Sequence, residues 1–254
     1  NVVGGLTGIP LTNLELGPQL GRGASATVYV ATYKPTDPDK EYLRDQLVAV
    51  KCITSLQGPE LRKQLVAELS LMRLQLCPRP GTGSGHGPGG ERVDYGAHVV
   101  QLYDAYHEEG RTLIVMEYCQ RGTLASCLDR FGPPPEDVLS VIARSIFMGL
   151  CFLHRHNVVH RDLKPANVLV SLPGTVKLSD FGCSKQEECG GNVSTFTGTL
   201  QYMSPERLAG SPYTTAADVW CAGMVLLEAA YGHHPYKEFG DDCGFLDMLD
   251  YSLR

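Results

Sequence analysis

The chain has 254 residues, 43% of them hydrophobic, and a formal net charge of −6. That length can bury one sizeable core or two smaller ones, and an acidic balance without a basic patch argues against nucleic acid as a partner. The nine cysteines are scattered, odd in number and set mostly in apolar stretches (Cys52, Cys151, Cys221) with no CxxC pair, which points to reduced thiols and away from a structural zinc site.

Residues 1–13 read as an N-terminal lead. They lack the basic and apolar zones of a signal peptide, and the missing initiator Met suggests a fragment or a processed chain. No uncharged apolar run is long enough to span a bilayer, so no membrane partner is expected. The expected location is the cytoplasm, with the nucleus as the alternative. Residues 14–33 alternate apolar and small residues around a glycine turn, which predicts a β-hairpin. The insert Lys34–Asp45 holds Pro35, Pro38 and seven charged residues, as a solvated loop would. A buried strand is predicted over 46–53. Leu61, Leu65, Leu69 and Met72 then recur at helical spacing behind Pro59, and Glu68 shares their inward face. The stretch 78–90 is dominated by Gly and Pro. It has too little apolar content to offset its ordering entropy, so a mobile loop is expected. Strands follow near 98–106 and 112–118, and helices over 136–156 and 215–231. A strand-rich first part before a helix-rich second part predicts two lobes of α+β type.

The chemistry is concentrated in His160-Arg161-Asp162-Leu163-Lys164-Pro165-Ala166-Asn167 and Asp180-Phe181-Gly182. These two runs supply two carboxylates, an amine and an amide in a short ordered series. Phosphoryl transfer needs such groups: a carboxylate to orient a hydroxyl, a cation for the migrating charge and oxygen donors for a metal. Upstream, Gly21-Arg22-Gly23-Ala24-Ser25-Ala26-Thr27-Val28 lets backbone N–H groups approach phosphates closely. A dinucleotide-binding turn has a similar pattern but opens a helix, whereas β-rich Thr27–Ala31 follows here. Lys51 closes Val48-Ala49-Val50-Lys51. Alone, Lys51 suits a solvated strand end and Glu68 a helix-surface charge; their order ahead of the other runs gives them a joint meaning.

Together these motifs resemble the protein kinase catalytic domain over about residues 14–254. The resemblance implies a two-lobed fold, with a small β-rich N-lobe (14–116), a hinge (117–121) and a larger helical C-lobe (122–254). The chain ends at Arg254 inside what would be the next C-lobe helix, so the C-terminal helices are expected to be cut short. ATP and Mg²⁺ are the implied cofactors. Asp162 would orient the substrate hydroxyl and Lys164 would neutralise charge on the transferred group. Lys51 would hold the α- and β-phosphates in an ion pair with Glu68. Asn167 and Asp180 would bind the metal. Gly21, Gly23 and Ala26, which replaces the third glycine, would cover the phosphates. Val28, Ala49 and Leu169 would sandwich adenine, Met116 would guard the rear of its pocket, and the backbone of Glu117 and Cys119 would bond it. These apolar positions suit plain core packing equally well. Met72, Leu102, His160 and Phe181 match the family's stacked apolar column, and Asp218 would hold the backbone near His160 and Arg161. Cys183 would lie near the nucleotide, either as an inert thiol or as a reactive one.

Lys164 resembles serine/threonine-type kinases. Phe196-Thr197-Gly198-Thr199 and Tyr202-Met203-Ser204-Pro205-Glu206-Arg207 are similar to mitogen-activated protein kinase kinases. That likeness implies a downstream kinase as protein substrate, an upstream activating kinase, and transfer to Ser/Thr hydroxyls with Tyr as a further acceptor. Thr199 would bond the catalytic Asp162. Ser194, Thr195 and Thr197 are the hydroxyls of the implied activation segment, with Thr195 at the family's second phosphosite. The first falls near Gly191, which has no hydroxyl. Arg161, with Lys185 as a second candidate, would pair with an added phosphate. The competing readings are a serine/threonine kinase of a related cascade group and a catalytically inactive kinase-fold scaffold.

Overall fold

A computed structural model describes residues 10–23, 26–53, 84–86, 92–108, 111–172, 174–181, 198–210 and 214–239. The described strands are β1 (Leu14–Arg22), β2 (Ala26–Tyr33), β3 (Leu47–Ile53), β4 (Ser84–His86), β5 (Arg92–Asp94), β6 (Leu102–Glu108), β7 (Arg111–Glu117), β8 (Val168–Val170) and β9 (Val176–Leu178). The α-helices are α1 (Leu124–Phe131), α2 (Glu136–Arg155), α3 (Pro205–Leu208) and α4 (Ala216–Tyr231). The chain divides into two compact units, residues 1–77 with 100–119 and residues 78–99 with 120–254. This is the two-lobed α+β organisation expected of the sequence.

The first unit is a five-stranded antiparallel sheet in the order β1-β2-β3-β7-β6. Val48, Val50 and Val115 suit a pleated, doubly covered surface. They pack with Ala31, Tyr33, Tyr103 and Leu43 into one buried cluster. Leu43 corrects the expectation for 34–45. This insert is not simply a solvated loop: Pro38–Leu43 forms a 3-10 turn that drives a fully buried leucine into the core. The Asp37 carboxylate caps the turn through the Asp39 N–H, and Asp45 closes the insert in a left-handed conformation at φ 66°. The charged residues that suggested a loop remain outside, while one leucine anchors it.

The second unit is built on α2. Glu136 and Asp137 in its first turn and His154 and Arg155 in its last complement the helix dipole. By length and composition α2 could cross a bilayer. Its buried face, with Ile142, Ile146, Leu150 and Leu153, instead makes it the core helix of this unit. Gly149 lets α2 sit against the chain at His98: a Cβ there would lie 2.6 Å from the His98 carbonyl oxygen and 2.9 Å from Leu178 Cδ1. His98 Nδ1 lies 3.1 Å from the Val176 carbonyl, and Val99 bridges Leu178, so this segment is tied to β9. A reciprocal Thr123–Ser126 capping box starts α1, and Gly232 ends α4 at φ 79°. Within 78–90, Ser84–His86 is extended and pairs with Arg92–Asp94, so the expectation of an unstructured loop does not hold for those three residues. The strand expected over 98–106 begins instead at Leu102, behind a 3-10 turn at Tyr95–His98.

Candidate active site

The β8–β9 hairpin and the loop before it gather four of the predicted groups in the second unit. Val168 lies opposite Leu178, which sets Asn167 across from Ser179. The Ser179 N–H (2.9 Å) and hydroxyl (3.0 Å) both donate to the Asn167 carbonyl, fixing this end of the hairpin with Asp180 next in the chain. The Asn167 amide nitrogen donates to the Asp162 carbonyl at 2.6 Å and to Asp162 Oδ2 at 3.0 Å. Its Oδ1 is therefore the acceptor end of a buried, oriented amide. Lys164 Nζ approaches the same Asp162 Oδ2 at 2.9 Å. Asp162 Oδ1 is buried and has no partner among the described residues. One carboxylate oxygen is thus held by an amide and an ammonium, and the other keeps its acceptor capacity.

The loop is held from α4. Asp218 is fully buried and accepts from the N–H of His160 (2.8 Å), the N–H of Arg161 (2.9 Å) and His154 Nε2 (2.8 Å). Burial opposes its charge, but these bonds, led by that from His154, outweigh burial and hold its carboxyl below the usual range. The sequence pointed to Asp218 as the anchor but not to His154, whose only signal is a polar side chain ending an apolar helix face. Burial pushes the His160 imidazole down, against the pull of Asp218, Asp162 and Asp180. It is a neutral ring packed edge-on to Phe181, with centroids 6.4 Å apart. Arg161 (φ 73°) and Asp180 (φ 60°) are left-handed without being glycine. Each such conformation costs about 1–2 kcal/mol and needs the surrounding bonds to persist. Cys221 is buried near this loop, and burial pushes its thiol up to about 12, so it is inert.

In the first unit, residues directly opposite one another in an antiparallel pair project to the same face. Val28 faces Lys51, Ala49 faces Met116, and Met116 faces Leu102. Val28, Ala49, Lys51 and Met116 therefore share the face opposite the buried Val48–Val50 cluster. Ala49 and Met116 are buried and Lys51 is half-buried. Gly21, next to last in β1, lies opposite Val28, and the Gly23 N–H donates to the Ala26 carbonyl at 2.8 Å, closing the turn. Among the described residues, a Cβ on Gly21 meets nothing within 4 Å, and one on Gly23 meets only that carbonyl, at 3.7 Å. Packing among the described residues does not demand either glycine. The Glu117 N–H donates to the Gln101 carbonyl at 2.9 Å, so an adenine could bond Glu117 only through its carbonyl. Cys119 is buried beside it, while Leu169 lies half-buried in the second unit, bridged to Thr123.

Glu68, Met72, Cys183, Lys185, Ser194, Thr195 and Thr197 lie outside the described residues. Thr199 falls in the 3-10 turn Gly198–Tyr202, and of Thr199 itself only the backbone is described. Arg207 was missed as a site residue: its Nη1 donates to the Arg161 carbonyl at 2.6 Å.

The protein kinase domain family matches residues 91–250. The chain is 33% identical over 230 residues to "Mitogen-activated protein kinase kinase 1" of Arabidopsis thaliana, covering 90% of this chain and 57% of that protein. It is 34% identical over 245 residues to "Mitogen-activated protein kinase kinase 1c" of Physcomitrium patens, covering 95% and 63%. "Dual specificity mitogen-activated protein kinase kinase 1" of Dictyostelium discoideum is 32% identical over 228 residues, covering 89% and 30%. The chain thus spans less than two thirds of the length of each of these relatives. With the hairpin, the catalytic-loop geometry and the family match in agreement, the chain belongs to the protein kinase domain family, and its sequence is most like mitogen-activated protein kinase kinases.

Proposed function

We propose that this chain is the catalytic part of a serine/threonine protein kinase acting in a mitogen-activated cascade. The observation that carries this reading is the state of Asp162. Lys164 and Asn167 hold its Oδ2, and its Oδ1 is left open for a donor that the described residues do not supply. A substrate hydroxyl is such a donor, and holding it in line is what phosphoryl transfer asks of the protein. Lys164, beside the same carboxylate, is placed to offset negative charge on the group being transferred. Asn167 Oδ1 and the Asp180 carboxylate are hard oxygen donors of the kind Mg²⁺ takes, too few to cage it and so suited to a cation shared with phosphates. Bound there, Mg²⁺ would neutralise charge on the β- and γ-phosphates. The face carrying Val28, Ala49, Lys51 and Met116 would take the adenine and inner phosphates of ATP. Gly21 and Gly23 would let the turn's backbone approach closely.

The substrate in this reading is a hydroxyl on a downstream kinase, with Tyr as well as Thr accepted. An upstream kinase would activate the chain at Thr195, with Arg161 receiving the phosphate, and the protein would work in the cytoplasm. The lobes would run 14–116 and 122–254 about a hinge at 117–121. The test is transfer of labelled γ-phosphate from ATP to a catalytically dead mitogen-activated kinase, followed by phosphoamino-acid analysis. Label on Thr and Tyr supports dual specificity, and label on Ser or Thr alone restricts it. No transfer by chain that has been treated with an upstream kinase and binds ATP would favour an inactive scaffold. Thr195→Ala should abolish the upstream-stimulated increase; an unchanged increase removes Thr195 from the proposal.

A further inference from the structure

Resting on that reading, we propose that Arg207 is a positioning residue for phosphoryl transfer: its guanidinium fixes the Arg161–Asp162 peptide and, through it, the Asp162 carboxylate. Arg161 is held in a left-handed conformation that a side chain disfavours. Such a residue reverts easily by rotation of its flanking peptides unless both are bonded. The structure bonds both. On the N-terminal side the Arg161 N–H donates to Asp218 at 2.9 Å. On the C-terminal side the Arg161 carbonyl accepts from Arg207 Nη1 at 2.6 Å. That carbonyl shares its peptide plane with the Asp162 nitrogen, so its rotation would swing the carboxylate directly. The next carbonyl, of Asp162 itself, is held by Asn167 at 2.6 Å. Arg207 therefore supplies one link in a series of bonded backbone groups. Its charge is also felt within the fold, where it acts on the buried Cys221 thiol.

Arg207 stands on α3, which follows directly on the stretch carrying Thr195 and Thr199. The contact thus joins the end of that stretch to the catalytic loop. A charged donor at this distance is strong, and a displacement of about 1 Å at a reacting group can cost on the order of a hundredfold in rate.

The test compares the full chain with Arg207→Ala, Arg207→Lys and Arg207→Gln in two measurements. In kinase assays, Arg207→Ala should lose about 10- to 100-fold in kcat with the KM for ATP within about twofold. Arg207→Lys, which keeps a charged donor, should recover much of the loss. In hydrogen exchange without substrate, the His160, Arg161 and Asp162 amides should exchange about tenfold faster in Arg207→Ala, while α2 and β8–β9 are unchanged. If Arg207→Ala does not fold, Arg207→Gln, whose amide falls short of the carbonyl, should show the same selective loosening. Unchanged exchange at 160–162 in the folded variants overturns the proposal. So does a kcat loss matched by a rise in the KM for ATP, or faster exchange spread over the whole unit. If the unsubstituted chain transfers no phosphate, the kinase reading fails, and the exchange result still decides whether Arg207 clamps this peptide.

Discussion

Removing the Asp218 carboxylate should damage this protein more than any exposed charge could. Asp218 accepts three hydrogen bonds, from His160, Arg161 and His154, at full burial. Asp218→Ala orphans two backbone N–H groups and an imidazole. Bonds to a charged group contribute about 1.5–3 kcal/mol each, but the three are coupled and the carboxylate's own desolvation cost disappears. A net loss of about 3–5 kcal/mol is expected, as for other broken buried charge networks. Asp218→Asn keeps one acceptor oxygen but turns an NH₂ toward a donor, so about 2–3 kcal/mol should be lost. Trp220, the single tryptophan, lies two residues along α4 and reports this unit by fluorescence. In urea, with a slope of about 2–3 kcal/mol/M, the Ala variant's midpoint should fall by about 1–2 M. Because the folded carboxyl titrates below its unfolded value, its contribution is present above about pH 4 and is lost as pH falls through the lowered folded pKa. The Asn variant should lack that acid limb. An Ala variant within about 0.5 kcal/mol of the parent would refute the anchoring argument.

Gly149→Ala sets a helix-propensity gain of about 1 kcal/mol against overpacking of about 1–3 kcal/mol. Because the nearest obstacle is the His98 backbone carbonyl at 2.6 Å, the clash should win, and thermal melting should show a drop of about 2–8 °C. Burial lowers the pKa of His98, His160 and His234, the last to about 4. The stability each contributes is present above its unfolded value near 6.5 and is lost as pH falls through the folded value, by up to about 1.4 kcal/mol per pH unit. Glu228 acts the other way: burial raises its carboxyl, so acidification relieves part of its cost. Urea midpoints should therefore fall from pH 7 to pH 5, and a flat profile would contradict the histidine assignments. Asp180→Asn should reduce phosphate transfer by at least about a hundredfold and weaken Mg²⁺-dependent nucleotide binding, measured by calorimetry, while leaving the thermal midpoint within a few degrees.

Much of the fold was legible because its periodicities are strong. The Val48-Ala49-Val50 strand and the apolar stripes of α2 and α4 are set by local pattern. Leu43 was hidden because one leucine among seven charged residues carries no periodic signal, and its burial depends on the sheet it meets. The Ser84–His86 strand was hidden because its stability comes from its partner at Arg92–Asp94 and not from β-propensity. At the site, Asp162, Lys164, Asn167 and Asp180 were readable as a spaced set. The contacts that orient them were not: His154 and Arg207 lie 8 and 45 positions from Asp162, on helices whose sequences do not announce a partner.

The most direct test of the central claim is a crystal structure of the chain with Mg²⁺ and a non-hydrolysable ATP analogue. The account predicts a cation bound by Asn167 Oδ1 and an Asp180 carboxylate oxygen at about 2.0–2.1 Å, completed by phosphate oxygens and water. The γ-phosphoryl group should lie beside Lys164 and face Asp162 Oδ1. A cation and triphosphate seated away from Asn167 and Asp180, with Asp162 turned from the γ-phosphoryl, would contradict it.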